Sequence, residues 1–341
     1  MSPPFSPLLR IVRARLAVLP QYVMPKQGMT ALAGVIASYH GGRFTTALIR
    51  WFVAKYGVDV SEATNPDIAS YDTFNDFFTR ALKPGARPLA HAPWICPVDG
   101  SISQFGTMDR DHILQAKGHH YSITALVGGD GGLAEQFEHG SFATLYLSPK
   151  DYHRIHLPCD GRLMRMIYVP GTLFSVNPTT ARGVPGLFSR NERVVCVFES
   201  PRGPFVLTMV GATIVGSMAT VWHGTVNAPR PGKVNEWHYD GQQVFLKQGE
   251  EMGRFMLGST VVLLFPTSTL LFNRSWAPGH AVRVGEAMAT ESVGLEDARN
   301  VRPARNTARQ PSQASGCAEV LADASAPEHV DDCQQDRGTE E

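Results

Sequence analysis

The chain has 341 residues, of which 43% are hydrophobic and 18% are charged, and its 31 basic side chains are balanced by 31 acidic ones. A chain of this length can bury a large core, so it needs no disulfide or metal to hold it together. Zero net charge argues against a general nucleic-acid-binding protein, because phosphate contacts need clustered positive surface. Five cysteines without a Cys-x-x-Cys pair indicate reduced thiols in a protein that faces the cytosol.

The amino-terminal part of the chain combines positive charge with helical periodicity. Residues 1–58 contain seven basic side chains and no acid, and apolar residues recur at helical spacing over 8–19 and 29–56. Basic, apolar helices with aromatic residues favour a segment that lies on an anionic membrane surface. The alternatives are a helical subdomain packed on the core and an organelle transit peptide. No apolar run reaches the roughly 18 residues of a spanning helix.

From about residue 60 the pattern changes to that of a β-rich protein. Residues 66–82 predict one capped helix. Short apolar runs follow, at 142–147, 163–169, 194–198, 205–210, 212–215 and 261–265. Many short strands at close spacing predict a mostly antiparallel core. The expected fold class is therefore α+β, with N-terminal helices followed by a mostly antiparallel, β-rich catalytic core over 59–285.

The carboxyl-terminal part of the chain is acidic and has no aromatic residue. Residues 286–341 carry twelve acids and five arginines and are rich in Ala, Ser, Gln and Pro. Such a segment cannot bury enough surface to offset its ordering entropy. We expect a disordered acidic tail that is dispensable for activity.

Two histidines and an aspartate are candidates for chemistry. His153 and His156 stand three residues apart, which suits two metal ligands, a base with its neighbour, or a structural pair. No Glu, Cys or third His lies at a metal-ligand offset, so the pattern predicts no metal. Asp99 ends an apolar run beside a glycine, where Asp-Gly taken alone is more often a turn than a catalytic acid.

The sequence Gly258-Ser259-Thr260 stands directly before an apolar strand. It does not match the Gly-x-Ser-x-Gly elbow of serine hydrolases, which a helix follows. A glycine before a serine leaves its carbonyl unshielded, so the hydroxyl can attack it and shift the acyl group from nitrogen to oxygen. Elimination of the ester and hydrolysis then leave an N-terminal pyruvoyl group, an electron sink that replaces pyridoxal phosphate. The pattern points to covalently held pyruvate at Ser259 as the cofactor.

Several motifs in a consistent order resemble phosphatidylserine decarboxylase of the bacterial, membrane-associated type. They lie at 97–100, 113–122, 146–159, 168–178, 188–194, 210–217 and 252–260. The resemblance covers roughly residues 8–285. Its most specific elements are LGST at 257–260 and DYHRIH at 151–156.

The resemblance implies a role for each candidate residue. Asp99 and His156 match the acid and the base that activate the serine for self-cleavage, as a charge relay in which the acid is expected to hold the imidazole tautomer. Ser259 matches that serine, which becomes the pyruvoyl residue that forms a Schiff base with the substrate. His153 matches the residue of the decarboxylation step, and protonation of the α-carbon is its expected task.

The resemblance also implies where the chain is cut and what surrounds the substrate. Cleavage between Gly258 and Ser259 would give a β chain of residues 1–258 and an α chain of residues 259–341. The apolar loop 168–177 is expected to form a pocket wall. On charge grounds alone, an Arg or Lys should bind the head group, and the candidates, which the sequence does not rank, include Arg154, Arg165 and Arg190.

The implied activity is decarboxylation of phosphatidylserine to phosphatidylethanolamine and CO2. The implied location is the cytoplasmic side of the cell membrane, where the protein attaches peripherally to an anionic surface. The resemblance also implies a dimer of αβ units, and no nucleic-acid partner is expected. Two other functions stay open on the residues alone. One is a hydrolase that uses Asp99, His156 and Ser259 on a lipid ester, and the other is a non-catalytic membrane-docking protein with structural histidines.

Overall fold

A computed structural model of the chain describes residues 16–116, 118–214, 217–227, 230, 232–241, 243–256, 259–266 and 270–291. All of them belong to one compact unit. Residues 1–15 of the basic segment and 292–341 of the acidic tail lie outside the described residues.

The longer helices come first in the chain. Residues 16–23 are helical and lead into α1 and α2, and a 3-10 turn at Ile68–Ser70 precedes α3. The labelled helices are α1 (Lys26–Ala37), α2 (Arg43–Tyr56), α3 (Phe74–Phe78), α4 (Ile123–Leu126), α5 (Gly131–Glu135), α6 (Pro178–Gly183) and α7 (Leu187–Arg190).

The strands make up most of the rest of the described chain. They are β1 (Trp94–Ile95), β2 (Gly100–Thr107), β3 (His112–Ala116), β4 (His119–Ser122), β5 (Ser141–Leu147), β6 (Arg154–His156), β7 (Gly161–Val169), β8 (Arg193–Ser200), β9 (Gly203–Val210), β10 (Ser217–Thr220), β11 (Gly224–Thr225), β12 (Asn235–His238), β13 (Phe245–Leu246), β14 (Glu251–Met256), β15 (Ser259–Phe265), β16 (Leu270–Phe272), β17 (Ala281–Val282) and β18 (Ala287–Glu291).

A nine-stranded sheet forms the centre of the fold, in the order β12-β7-β8-β9-β15-β5-β2-β17 with β13 beside β7. A four-stranded sheet has the order β11-β10-β14-β6, a three-stranded sheet the order β1-β18-β16, and β3 pairs with β4. Every pairing between these named strands is antiparallel. The predicted α+β class with N-terminal helices and a β-rich core is confirmed.

The strand β15 is the best-buried element of the core. All seven of its residues are buried, and it lies between β5 and β9 in the nine-stranded sheet. Its continuous run of Val, Leu and Phe suits a strand covered on both faces, because neither face has to meet water. This strand fixes the position of Ser259, its first residue.

Residues 66–82 do not form the single helix that the sequence predicted. The 3-10 turn ends at Ser70, and α3 begins anew after Thr73. The Thr73 hydroxyl accepts a hydrogen bond from the Asp76 backbone N–H, while the Asp76 carboxylate accepts one from the Thr73 backbone N–H. This capping box satisfies the free N–H groups of a new helix start, so the chain turns here and does not continue as one helix.

Two further boundaries differ from prediction. Residues 212–214 are irregular where a strand was expected, and Ile214 has φ of 72°, which is rare for a β-branched residue and incompatible with a strand. The boundary predicted for the tail, at residue 286, is too early. Residues Ala287–Glu291 form β18, which pairs with both β1 and β16.

The helical part has its own small core and a large exposed apolar surface. Phe52 of α2 packs edge-on against Phe74 of α3, with the ring centroids 5.0 Å apart. Large apolar side chains nevertheless face solvent at Leu16, Leu19, Tyr22, Val23, Leu32, Val35, Tyr39, Phe44 and Trp51. Among the described residues, no helix combines the length and the apolarity that crossing a bilayer requires.

Candidate active site

Ser259 lies where the chain passes from the four-stranded sheet to the nine-stranded sheet. It follows β14, begins β15, and pairs with Leu147 of β5. Its side chain is 0% exposed, and its Oγ has no hydrogen-bond partner in the described part of the chain. A buried hydroxyl without a partner is costly and calls for an explanation, of which a catalytic role is one. Gly258, the other half of the expected cleavage site, lies outside the described residues.

Asp99 is buried just before β2 and is held by a bidentate ion pair. Nε of Arg87 donates to both carboxylate oxygens, at 2.9 and 3.1 Å, and the Val284 backbone N–H donates at 2.9 Å. Arg87 also pairs with Glu62 at 2.7 Å. The carboxylate is therefore fixed in orientation and partly neutralised.

His156 has a hydrogen bond at each ring nitrogen. Nδ1 lies 2.8 Å from the Gly249 carbonyl oxygen, and Nε2 lies 3.1 Å from the Tyr152 hydroxyl. A carbonyl can only accept, so Nδ1 carries the proton of the neutral ring and Nε2 accepts from Tyr152. Burial lowers the pKa of His156, although the hydrogen bond to Gly249 opposes this shift. The ring is therefore neutral near pH 7. The Gly249 carbonyl, not Asp99, fixes the tautomer here.

His153 is fully buried and presents one free nitrogen. Nδ1 lies 2.8 Å from the Asp151 carbonyl oxygen and so donates to it, whereas Nε2 has no partner among the residues described. The Phe78 ring covers the imidazole, with the centroids 4.1 Å apart. Burial lowers the pKa of His153 to about 3, against the Asp151 hydrogen bond, and the charge of Arg80 lowers it further. Nε2 is thus a free lone pair in an apolar setting.

The candidate residues lie in one region of the molecule, but they do not form a hydrogen-bonded chain. Strand β5 separates Ser259 on β15 from Gly100 on β2, the residue after Asp99. A Cβ at Gly100 would lie 2.3 Å from the Tyr146 carbonyl oxygen, so only glycine allows this approach. Within the described chain, no hydrogen bond joins Asp99, His156 and Ser259 to one another.

A cavity of about 470 Å³ opens beside Asp99, and we call it the Asp99 cavity. Its lining is polar and includes Arg80, Arg87, Lys150 and Asp151. A larger cavity, of about 870 Å³, lies between residues 88–90 and 273–287 and contains none of the predicted site residues. The Asp99 cavity is therefore the better candidate for substrate.

The loop 168–177 contributes no residue to the lining of the Asp99 cavity, so it does not form the pocket wall expected there. Its residues 171–173 line a groove of about 450 Å³ together with residues 24–28. Phe174 packs edge-on against Tyr22, with the ring centroids 5.1 Å apart. The loop thus contacts the N-terminal helical segment.

The basic residues proposed for the head group are engaged with other partners. Arg154 pairs with Glu251 and donates to the Thr79 carbonyl oxygen. Arg165 pairs with Asp130 and Glu236. The guanidinium of Arg190 lies 5.2 Å from the centroid of the Phe174 ring.

Sequence reasoning missed Arg87, Tyr152 and Gly249 as direct partners of the candidate residues. Gly249 lies 93 positions from His156 in the chain, and no local spacing signals such a contact. Tyr152 stands four residues from His156, within the same motif. Its motif position could have suggested the contact.

These observations define a class of protein, an α+β chain with a buried serine, one buried and one partly buried neutral histidine, and a salt-bridged aspartate that lines a polar cavity. A family model described as phosphatidylserine decarboxylase matches residues 74–290, and a second, described as PSD, matches residues 16–57. The chain belongs to the phosphatidylserine decarboxylase family.

Curated relatives are similar over most of their length. The phosphatidylserine decarboxylase proenzyme of Dechloromonas aromatica is 71% identical over 82% of this chain and 99% of its own. The proenzyme of Albidiferax ferrireducens is 72% identical over 81% of this chain and 98% of its own. The proenzyme of Polaromonas naphthalenivorans is 73% identical over 81% of this chain and 96% of its own.

Proposed function

We propose that the protein decarboxylates phosphatidylserine to phosphatidylethanolamine and CO2 at a membrane surface, with a pyruvoyl group that it makes from Ser259. The observation that carries the proposal is the buried, unpartnered Ser259 Oγ at the start of β15. Membership of the decarboxylase family, with relatives described as proenzymes, supports the same activity.

Self-cleavage requires a base for the Ser259 hydroxyl. His156 is neutral, and its Nε2 lone pair is held by the Tyr152 hydroxyl at 3.1 Å. In the proposal this nitrogen exchanges Tyr152 for Ser259 and takes the hydroxyl proton. The alkoxide then attacks the Gly258 carbonyl, and as the ester forms the nitrogen of residue 259 leaves as an amine that takes the proton from the imidazolium. Asp99, fixed by Arg87, supplies negative charge that stabilises the imidazolium.

The position of Ser259 fits a residue-derived prosthetic group, because its side chain is buried and has no competing hydrogen bond among the described residues. A pyruvoyl ketone there supplies the electron sink for the electron pair left when the carboxylate departs. The surroundings contributed by this chain exclude water, since β15 is buried throughout and its neighbours β5 and β9 are buried at most of their residues.

His153 has the properties of a proton carrier for the decarboxylation. Its Nε2 has no hydrogen-bond partner among the described residues, so a proton that it takes up during the reaction can be delivered to the α-carbon after CO2 has left. The Asp151 carbonyl holds the ring in the tautomer that this task needs. Phe78 keeps the surroundings apolar, which disfavours charge on the ring and promotes return of the proton.

The membrane part of the proposal rests on the exposed apolar side chains of α1, α2 and residues 16–23. Lys26, Arg43, Arg50 and Lys55 occur in the same segment, which contains no acid. Apolar area and positive charge on one segment favour binding to an anionic lipid surface.

A denaturing gel and mass spectrometry test the proposal. The wild-type chain of 37.2 kDa should split into two unequal fragments, and the smaller should begin at position 259 with a ketone and no amine. Ser259→Ala should remain one inactive chain. Active wild-type protein that stays intact would contradict the proposal and favour an Asp/His/Ser lipid hydrolase.

The division of labour between the histidines has its own test. His156→Ala and Asp99→Ala should block the split. His153→Ala should split normally but decarboxylate about 10²- to 10⁴-fold more slowly, the usual loss for a general acid–base group. An uncleaved His153→Ala chain would show that His153 acts in maturation as well.

A further inference from the structure

Four cations line the Asp99 cavity, and three of them are accounted for by carboxylates or by solvent. Arg87 is held by Asp99 and Glu62. Arg283 pairs with Glu62 at 3.2 Å. Lys150 is exposed to water.

Arg80 is the fourth cation, and its environment is different. It lies just after α3 and is 5% exposed, although it lines the cavity. Its guanidinium carbon lies 5.2 Å from the centroid of the Phe77 ring. In the described part of the chain, its Nε has no hydrogen-bond partner and its guanidinium forms no ion pair. A cation this deeply buried is unfavourable unless an anion or acceptor oxygens satisfy it.

We infer that Arg80 binds the phosphodiester of the phosphatidylserine head group in the Asp99 cavity, an inference that rests on the proposed function. A guanidinium offers paired N–H donors that match two phosphate oxygens. Among the described residues, the cavity lining contains four acids and four cations, so their net charge does not select an anion. The buried Arg80, whose Nε finds no hydrogen-bond partner in that part of the chain, does.

The head group carries two anions, and the chemistry assigns Arg80 to the phosphodiester. The carboxylate loses its charge as CO2 leaves, so a cation against it would stabilise the starting state and slow the reaction. The phosphodiester keeps its charge throughout. A cation there binds substrate, transition state and product equally, which lowers KM without raising the barrier.

The position of Arg80 agrees with the order of groups in the lipid. Gly57, which follows α2, lines one side of the cavity, and Trp51 of α2 is exposed. Phe78, two residues before Arg80, contacts His153 with its ring tilted by 44°. Arg80 thus shares its cavity with the end of α2 and closely follows the residue that contacts the buried histidine, an arrangement that suits a phosphodiester linked to acyl chains on one side and to serine on the other.

The test compares Arg80→Gln and Arg80→Lys with Arg162→Gln, a control at an exposed arginine that pairs with Glu199. Each full chain is first checked for processing by mass spectrometry. Calorimetry then measures binding of glycerophosphoethanolamine, which has the phosphodiester and lacks the carboxylate. Kinetics with phosphatidylserine in mixed micelles give KM and kcat, and inhibition by L-serine reports on the carboxylate.

We expect Arg80→Gln to weaken glycerophosphoethanolamine binding and to raise KM, each by about 10- to 100-fold, with kcat changed by less than about threefold. Inhibition by L-serine should stay unchanged, and Arg162→Gln should match the wild type. Unchanged glycerophosphoethanolamine affinity in Arg80→Gln overturns the inference. Weakened L-serine inhibition with intact glycerophosphoethanolamine binding overturns it too, because Arg80 then serves the carboxylate.

Two outcomes separate this inference from the function on which it rests. If Arg80→Gln is not processed, Arg80→Lys carries the test, with affinity expected to fall by about threefold or more because the paired donors are lost. Unchanged affinity in that variant is then the contrary result. A wild-type chain that releases no CO2 from phosphatidylserine contradicts the proposed function instead, while calorimetry still decides whether Arg80 binds a phosphodiester.

Discussion

His153 shows how a single buried residue links the fold to pH. The neutral ring is held by Asp151 and covered by Phe78, and its pKa falls from 6.5 to about 3. Between these values the unfolded chain binds a proton that the folded chain does not. The free energy of unfolding should therefore decrease as the pH falls below about 6.5, by up to about 1.4 kcal/mol per pH unit from this residue.

This pH dependence can be measured by urea denaturation between about pH 7 and pH 4, a range set by the two pKa values. The Ser259→Ala background keeps the chain intact. His153→Asn should lose less stability per pH unit than the parent, and a variant of the exposed His120, His120→Asn, should follow the parent. If the free energy of unfolding depends on pH equally in His153→Asn and in the parent, the ring takes up its proton in the folded protein as it does in the unfolded chain.

Tyr152 restrains the base proposed for self-cleavage. Its hydroxyl donates to Nε2 of His156, the nitrogen that must take the Ser259 proton, and burial raises the pKa of Tyr152 to about 12, so the hydroxyl keeps its proton. Tyr152→Phe should leave Nε2 free and speed the appearance of the two fragments by up to about fivefold, the worth of one neutral hydrogen bond. A time course on denaturing gels measures this. Strongly slowed cleavage would place Tyr152 in the relay itself.

At the residue scale, the sequence predicted which residues are candidates but not what holds them. Asp99, His156 and Ser259 stand in recognisable motifs. Their partners Arg87 and Gly249 lie 12 and 93 positions away in the chain, and no local spacing signals either contact. The tautomer of His156 was expected to depend on the acid, whereas a backbone carbonyl sets it. A backbone contact of this kind has no residue-type signature, so spacing cannot predict it.

At the element scale, strands were predicted better than helix boundaries. Residues 261–265, which form most of β15, are all apolar. Their hydrophobicity alone therefore predicts a buried strand. Residues 66–82 contain enough helix-compatible residues to suggest one helix, but Thr73 and Asp76 form a capping box in their middle. The sequence contains that box as a Thr-x-x-Asp pattern. Choosing between a cap and an interior helical position depends on the tertiary contacts of the Phe residues that follow.

The capping box carries a prediction because α3 positions Phe78 and Arg80. Thr73→Ala removes the hydroxyl that accepts from Asp76 and should lower the free energy of unfolding by about 1 kcal/mol. Urea denaturation in the Ser259→Ala background measures the loss. Thr107→Ala, at the exposed end of β2, should change stability by less than about 0.5 kcal/mol. Equal effects at the two sites would mean that the cap does not stabilise α3.

At the scale of the whole molecule, charge and apolar surface are distributed unevenly along the chain. The basic, acid-free segment and many of the exposed apolar side chains coincide in α1, α2 and residues 16–23, while the nine-stranded sheet buries most of its apolar residues. Composition predicted this segment, because charge can be counted without a fold. Composition does not predict which side chains face a membrane, because the small core of α2 and α3 buries part of the helical surface.

Phe44 and Phe245 provide a matched test of the membrane surface, because their side chains are 56% and 52% exposed, on α2 and β13. Phe44→Glu removes apolar area and adds a negative charge next to Arg43, so binding to vesicles rich in anionic lipid should weaken by about tenfold or more. Phe245→Glu makes the same chemical change away from the basic helices and should bind like the wild type. Co-sedimentation at increasing salt adds a second criterion, because binding that depends on Lys26, Arg43, Arg50 and Lys55 weakens as the Debye length shrinks. If the two variants lose binding equally, the attraction does not come from the helical segment, and α1 and α2 are then a packed subdomain and not a docking surface.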